Sequence, residues 1–281
     1  MTQVKAYVPG LYARSGAAES AQRTEEVRSF LGVQREAGMD YFSDGLLDWP
    51  DLASPLVRKA QTPARERPTT DDRPGTATEV LSEPSDAPHL YASEMPRGRW
   101  VSTLPSPLAL ARSADLTVSG AASLLSVQVG LAAESGCAFI VLQETRMPEA
   151  AELAALGEAI EALRGTLPLV LRLPPGGAAG VIADVVDLPV EAVGVDMVST
   201  DVAAMPGPFP KTLLAGVVDA EDPKPEEPSR LAARYEGLLG RLDAEADLHL
   251  AANGDLRALD SETAARKVHA LGDAARILRG G

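Results

Sequence analysis

Strand-like and helix-like segments alternate along almost the whole chain, and this alternation restricts the fold more than any other feature of the sequence. Eight short apolar segments have the composition of buried strands, and amphipathic segments separate them. The predicted strands are Val4–Val8, Met39–Ser43, Trp100–Leu104, Ala138–Leu142, Leu167–Arg172, Ala192–Asp196, Thr212–Val218 and Asp247–Ala251. Strands that alternate with helices form parallel sheets, so the sequence predicts an α/β fold.

The length of the chain and the number of repeats favour a barrel. The predicted helices are Glu19–Glu36, Leu116–Glu134, Glu149–Arg164, Ala178–Val186, Pro228–Leu242 and Ser261–Leu278. Asp260 or Ser261 is the predicted N-cap of the last helix. Eight β/α repeats in 281 residues predict a (β/α)8 TIM barrel that spans residues 1–281 as a single domain. A doubly wound open sheet is the alternative, but the turn Pro9-Gly10-Leu11-Tyr12 lacks the glycine-rich fingerprint of a nucleotide-binding loop.

A Pro-rich segment interrupts the pattern after the second predicted strand. Residues 62–88 are rich in Pro, Thr, Asp, Arg and Ser and contain few apolar side chains. This composition predicts a flexible insertion within the barrel. A lid over the barrel mouth is the alternative, because the segment leaves from the C-terminal end of a strand. Within this region Thr76–Leu81 could pair with His89–Ser93 as a hairpin.

Charge and cysteine content restrict the partners of the protein. The formal net charge is −14 and the isoelectric point is near 4.7, so we expect neither a nucleic acid nor a membrane as a partner. The single cysteine, Cys137, excludes an intrachain disulfide and a Cys-rich metal cluster. No signal-like segment and no apolar run of about 18 residues is present, which predicts a cytoplasmic protein with a small-molecule ligand. The oligomeric state stays open.

Polar residues at the strand ends form the candidate site, because the loops that follow the strands of a (β/α)8 barrel carry its chemistry. The candidate catalytic acids are Asp44, Glu144, Asp196 and Asp219. The candidate substrate-binding residues are Tyr12, Arg14, Trp49, Gln143, Arg172 and Asn253. Converging carboxylates raise one another's pKa and permit acid–base catalysis, and a guanidinium fits a carboxylate or phosphate. Alternatively, the acids bind loop backbone, the arginines neutralise the acids, and the aromatic side chains plug the barrel.

Five segments, taken in order, resemble the catalytic domain of cobalamin-independent methionine synthase, within a wider group that includes uroporphyrinogen decarboxylase. They are residues 34–40 with 43–45, and residues 102–111, 136–144, 213–219 and 250–256. The match covers most of the chain. No single segment is specific, and the shared order and spacing carry the resemblance. It implies a (β/α)8 barrel and the transfer of a methyl or other one-carbon group.

The zinc ligands of the family that the chain resembles have no counterparts in this sequence. That family binds zinc through a His-x-Cys pair after strand five, a glutamate after strand six and a cysteine after strand eight, and the zinc activates a substrate thiol. Here the strand-five segment is Leu171-Arg172-Leu173-Pro174-Pro175-Gly176, without His or Cys, and Asp196 and Asn253 stand at the other two positions. Leu46 stands where the family has a glutamate that holds an amino-acid substrate. We therefore expect neither a metal nor another cofactor.

Three functions follow from this combination of resemblance and departure. The first is a zinc-independent enzyme, of methyltransferase type or of lyase or decarboxylase type, that acts on a small polar organic substrate with the acids of the mouth as proton donors and acceptors. The second is a non-catalytic ligand-binding or regulatory protein that has lost the family's chemistry. The third is a cobalamin-independent methyltransferase that needs a partner chain. Whether the protein is an enzyme stays open.

Overall fold

The computed structural model describes residues 2–14, 20–59, 78–80 and 91–280, and its centre is a curled parallel sheet of seven strands. In chain order the strands are β1 (Val4–Ala6), β2 (Val57–Lys59), β3 (Thr78–Val80), β4 (Val101–Pro105), β5 (Phe139–Gln143), β6 (Leu169–Arg172), β7 (Ala192–Asp196), β8 (Thr212–Val218) and β9 (Leu248–Ala252). The sheet has the order β1-β9-β8-β7-β6-β5-β4, and β2 pairs separately with β3. Neighbouring strands of the sheet are parallel throughout, which is consistent with a TIM-like barrel.

Seven α-helices accompany the strands within the described residues. They are α1 (Ser20–Glu36), α2 (Pro107–Ala114), α3 (Val118–Glu134), α4 (Ala150–Leu163), α5 (Ile182–Val185), α6 (Pro228–Leu239) and α7 (Ser261–Leu278). The bounds of α7 confirm the prediction, and Asp260 is its N-cap, because the Asp260 carboxylate accepts a hydrogen bond from the Thr263 N–H group at 2.9 Å. The helix predicted at Ala178–Val186 is reduced to the single turn of α5.

Our prediction did not include α2, although the start of this helix carries a clear sequence signal. Ser106 is the N-cap, with its hydroxyl accepting a hydrogen bond from the Ala109 N–H group at 3.0 Å, and Pro107 follows at the first helical position. Serine followed by proline is a common helix start, since proline fixes the backbone angle and loses no intrahelical hydrogen bond there. This helix follows β4 directly and therefore begins at the carboxyl end of the sheet.

The segment predicted as the second strand, Met39–Ser43, is not a regular strand. Phe42 forms one parallel bridge with Trp100, next to β4, and the Asp40 N–H group donates to the carbonyl of Ala6 in β1 at 2.9 Å. The Ala6 N–H group donates to the Asp40 side chain at 2.8 Å, and not to a backbone carbonyl. The prediction of a full strand is wrong because a side chain replaces one backbone partner and interrupts the ladder.

Most of the insertion predicted at residues 62–88 lies outside the described residues. The part that is described, β3, pairs antiparallel with β2. Residues Ala92–Glu94 form a 3-10 helix. The predicted hairpin between Thr76–Leu81 and His89–Ser93 lies largely outside the described residues, within which β3 pairs with a strand that precedes the insertion.

Alternate residues of the strands enter two different apolar clusters, as expected for side chains that alternate across a sheet. Val141 and Val170 belong to a cluster with Tyr7 and Ala251, whereas Ile140 belongs to a larger cluster that includes the buried faces of the helices.

No single described helix has the length and apolar character to cross a membrane. Only α2 and α3 taken together reach that length and composition, and they are bent by 114°.

Gly272 provides a test of the packing between α1 and α7. A Cβ atom at Gly272 would lie 1.8 Å from the backbone carbonyl oxygen of Ala37, which cannot move away without shifting the end of α1. Gly237 in α6 is exposed and has no neighbour within 4 Å of the same position.

We expect Gly272→Ala to lower the free energy of unfolding by about 2–3 kcal/mol through overpacking. Gly237→Ala is the matched control and should raise it by about 0.5–1 kcal/mol, because alanine favours a helix. Urea denaturation measures both changes. Equal effects of the two substitutions would contradict this packing.

Candidate functional site

The carboxyl ends of neighbouring strands bring polar side chains together at one edge of the sheet. Gln143 ends β5, and Arg172 ends β6 beside it. Arg172 donates from Nη1 to Oε1 of Gln143 at 2.9 Å and from Nη2 to the carbonyl of Ala252, the last residue of β9, at 3.0 Å. One guanidinium therefore links three strands of the sheet.

Asp255 completes this group, although the sequence prediction did not include it. Its carboxylate accepts hydrogen bonds from Nε2 of Gln143 at 3.3 Å and from the Leu11 N–H group at 3.1 Å. Oδ1 of Asp255 lies 3.6 Å from Nη1 of Arg172. The signal for this residue was its position shortly after β9, which is the same signal that selected the other acids.

Gly10 lies against all three of these side chains and can do so only because it is glycine. Its φ angle is +83°, and a Cβ atom would lie 2.2 Å from Oδ1 of Asp255 and 2.9 Å from Nη1 of Arg172. Its N–H group donates to Oγ1 of Thr103 in β4 at 3.1 Å. The loop after β1 is thus packed onto the polar group. We refer to Gly10, Gln143, Arg172 and Asp255 as the mouth cluster.

Burial dominates the electrostatics of Arg172. The side chain is 5% exposed, and burial lowers the pKa of its guanidinium, whereas the charge of Asp255 acts in the opposite direction. Gly194 in β7 lets Arg172 pack closely against it, because a Cβ atom at this position would lie 3.0 Å from the Cα atom of Arg172. A charge removed from water in this way needs compensating contacts, and the mouth cluster supplies them.

Asp196 ends β7, but its carboxylate contacts loop backbone. It accepts hydrogen bonds from the N–H groups of Gly176 and Val198, both at 2.8 Å, and of Ser199 at 3.2 Å. The side chain is buried. These contacts hold the loops after β6 and β7 together, which agrees with the alternative prediction that the acids bind loop backbone. Its catalytic role stays a prediction.

Asp219 and Asn253 also bind backbone in neighbouring loops. The Asp219 carboxylate accepts a hydrogen bond from the Glu221 N–H group at 2.9 Å, which shapes the loop after β8. Oδ1 of Asn253 accepts a hydrogen bond from the Ala220 N–H group at 2.9 Å and so ties the loop after β9 to the loop after β8. Neither side chain contacts Arg172 among the described residues, and their roles toward a ligand stay predictions.

Glu144 lies next to Gln143 in the chain but belongs to a separate network. Its carboxylate accepts hydrogen bonds from the hydroxyl of Ser106 and from Nη1 of Arg112 in α2, the latter at 3.3 Å. Arg112 also pairs with Glu152 of α4 at 2.6 Å. Burial raises the pKa of Glu144 to about 7, and the contacts with Ser106 and Arg112 oppose this shift. Glu144 is therefore partly protonated near neutral pH.

Asp44 is the predicted acid with the fewest contacts. It is half-buried, and its carboxylate accepts a hydrogen bond from the Leu46 N–H group at 3.0 Å. Burial raises its pKa to about 6, and this hydrogen bond opposes the shift. Leu46 is buried with a φ angle of +48°, so the side chain that follows Gly45 is apolar and turned into the protein.

The aromatic candidates pack into the rim of the site. Tyr12 is buried and stacks on Phe30 of α1 with ring centroids 3.8 Å apart. Trp49 is buried too, and its carbonyl accepts hydrogen bonds from Arg257 and from Nη1 of Arg14, the latter at 3.4 Å. Arg14 is exposed. Both arginines thus hold the loop that carries Trp49, and Arg257 was not among the predicted residues.

The residues at the resembling positions do not fit zinc. No group of three or more His, Cys, Asp or Glu residues in the described ranges is placed to bind a metal ion. The carboxylate of Asp196 and Oδ1 of Asn253 already accept hydrogen bonds from backbone N–H groups. Arg172 adds a buried positive charge in the segment that the resemblance matches to the family's His-x-Cys pair, and a cation repels a metal ion.

Two solved structures are similar to this chain over nearly its whole length. One is a B12-independent methionine synthase from a Shewanella species in complex with selenomethionine, with 15% identity, a TM-score of 0.68, and coverage of 99% of this chain and 97% of that one. The other is a putative vitamin-B12 independent methionine synthase from Listeria monocytogenes, with 12% identity, a TM-score of 0.65, and coverage of 98% and 99%. No protein-family model and no curated protein matches the chain. The likeness supports a methionine synthase-like fold.

The raised pKa of Glu144 predicts how stability depends on pH. Because its folded pKa of about 7 exceeds the ordinary value of 4.5, the folded state binds more protons than the unfolded state between these values. The contribution of Glu144 to the free energy of unfolding therefore falls as pH rises from 4.5 to 7. In Glu144→Gln this dependence should shrink by an amount on the order of 2 kcal/mol.

Urea denaturation between pH 5 and about 8 measures this dependence. Glu158→Gln is the matched control, because it removes an exposed carboxylate from α4 and should leave the slope unchanged. A slope in Glu144→Gln equal to that of the wild type would show that the buried acid does not titrate in this range.

Proposed function

We propose that this protein binds a small polar organic molecule at the carboxyl end of its sheet and that it does so without zinc. The observation that carries the proposal is the buried guanidinium of Arg172. A guanidinium has five N–H groups, and Arg172 donates two hydrogen bonds within the described residues. The remaining donors, in a buried setting, suit the recognition of an anionic or strongly polar group.

The fold likeness supports the same location. We infer that Met39–Ser43 takes the place of the missing strand between β1 and β4 and completes an eight-stranded (β/α)8 barrel, because this segment hydrogen-bonds to both of those edges. In such barrels ligands bind at the carboxyl ends of the strands. The similar Shewanella protein was solved with selenomethionine. Amino acids are therefore the first ligands to test.

Proton transfer, if it accompanies binding, rests on Asp44. Its pKa of about 6 lies close to neutral pH, where a general acid or base works best. Metal-free lyase or decarboxylase chemistry is compatible with one such acid, and methyl or other one-carbon transfer is kept as the family-level alternative.

Binding without catalysis is the second candidate function. It is favoured by the backbone contacts of Asp196 and Asp219, because these carboxylates stabilise loops. Asp44 also accepts one backbone hydrogen bond, from the Leu46 N–H group, and it is proposed as the acid for chemistry because burial raises its pKa to about 6. A methyltransferase that takes its zinc from a partner chain has no observation in its favour among the described residues.

Replacement of Arg172 tests the proposal. Amino acids, thiols, folates and tetrapyrroles are screened by thermal shift, and each hit is measured by isothermal titration calorimetry. Arg172→Lys keeps the charge but loses the planar fork, so we expect at least about tenfold weaker binding, and Arg172→Gln should abolish it. Melting curves establish that each variant is folded before binding is compared.

Arg164→Gln is the matched control, since it removes an exposed arginine at the far end of α4. This control should bind the ligand as the wild type does. A ligand that binds folded Arg172→Gln with unchanged affinity would place the site elsewhere and overturn the proposal.

A further inference from the structure

We infer that Asp255 is an internal competitor of the ligand: its carboxylate occupies the guanidinium of Arg172, and the ligand of this site carries a carboxylate that replaces it. The inference rests on the function proposed above and adds the chemical class of the ligand and a built-in control of access. Three features of the mouth cluster support it, namely the long contacts of Asp255, the place of its carboxylate against Gly10 and the charge balance of the buried arginine.

The two members of the ion pair are held very differently. Arg172 is 5% exposed and donates two hydrogen bonds of 2.9 and 3.0 Å. Asp255 is 28% exposed, lies 3.6 Å from the guanidinium, and accepts from Gln143 at 3.3 Å and from the Leu11 N–H group at 3.1 Å. Well-formed charge-assisted hydrogen bonds between a guanidinium and a carboxylate are about 2.7–2.9 Å long. Asp255 is therefore the partner that can leave.

The position of Asp255 in the chain allows this movement. It follows Asn253 and Gly254 in the loop after β9, outside the hydrogen-bond ladder of the sheet. Its carboxylate touches the position where Gly10 lacks a Cβ atom. Movement of Asp255 would leave, beside Gly10 and Arg172, a space that one carboxylate fills.

The charge balance selects the class of ligand. A buried guanidinium left without a counter-charge is strongly unfavourable. A ligand that removed Asp255 without supplying a negative group would incur this cost. A carboxylate that takes its place preserves the charge and can adopt the bidentate geometry that Asp255 lacks. A neutral or cationic ligand does neither.

The inference predicts that loss of the Asp255 charge strengthens the binding of a simple carboxylate. Sodium acetate is the probe, because it is small enough to replace the side-chain carboxylate alone. Its binding is measured from the rise in melting temperature with acetate concentration, against sodium chloride at equal ionic strength. We expect the acetate midpoint of Asp255→Asn to be at least about tenfold lower than that of the wild type.

Two controls test whether the effect depends on this position and on Arg172. Asp187→Asn removes the same charge from an exposed position before β7, at the opposite end of the sheet, and should bind acetate as the wild type does. The double substitution Asp255→Asn with Arg172→Gln should lose the acetate effect. Asparagine keeps an oxygen for the Leu11 N–H group, and Asp255→Ser serves as the second variant if Asp255→Asn does not fold.

Each remaining outcome decides the question. An acetate midpoint in folded Asp255→Asn equal to that of the wild type, the absence of a saturable effect in it, or an equal effect of chloride would overturn the inference. Inorganic phosphate acting more strongly than acetate would overturn the carboxylate class. If a screened ligand needs Arg172 but binds Asp255→Asn no more tightly than the wild type, the proposed function stands and the competitor role fails.

Discussion

The buried guanidinium of Arg172 is the interaction on which the rest of the carboxyl end of the sheet depends. A positive charge with 5% exposure persists only when acceptors surround it, and here they come from different strands and loops. Gln143 supplies one from β5, and β9 supplies the carbonyl of Ala252. Glycine at positions 10 and 194 removes the side chains that would otherwise fill its place. The arginine therefore organises both the centre of the site and the loop after β1.

The other acids at this end of the sheet divide between loop construction and proton chemistry. Asp196 and Asp219 bind backbone N–H groups, which shapes the loops around the mouth cluster. Glu144 joins α2 to the end of β5 through Ser106 and Arg112. Asp44 keeps a raised pKa of about 6 and a half-buried position, so it is the acid best suited to act on a ligand. A site built around a guanidinium thus differs in kind from one built around a metal ion.

The sequence predicted the sheet better than it predicted the site. The strands ending in Gln143, Arg172 and Asp196 follow from their apolar composition, which is a local property. The prediction of a strand at Met39–Ser43 is wrong because the Asp40 side chain, and not a backbone carbonyl, accepts the hydrogen bond from the Ala6 N–H group. Hydrophobic periodicity does not reveal such a contact. Asp255 follows a predicted strand as the other candidate acids do, but only the fold shows its contact with Gln143, 112 residues away in the chain. Which acids bind backbone is likewise decided by the N–H groups that folding places beside them.

Zinc binding tests most directly the central claim, namely that this site is built around a guanidinium and binds no zinc. The purified protein is incubated with excess zinc sulfate and desalted, and its metal content is measured by inductively coupled plasma mass spectrometry. The charge of Arg172 and the occupied oxygens of Asp196 and Asn253 predict no stoichiometric zinc. One zinc per chain that survives desalting, and that is lost on substitution of Asp196 or Asn253 by alanine, would contradict the account.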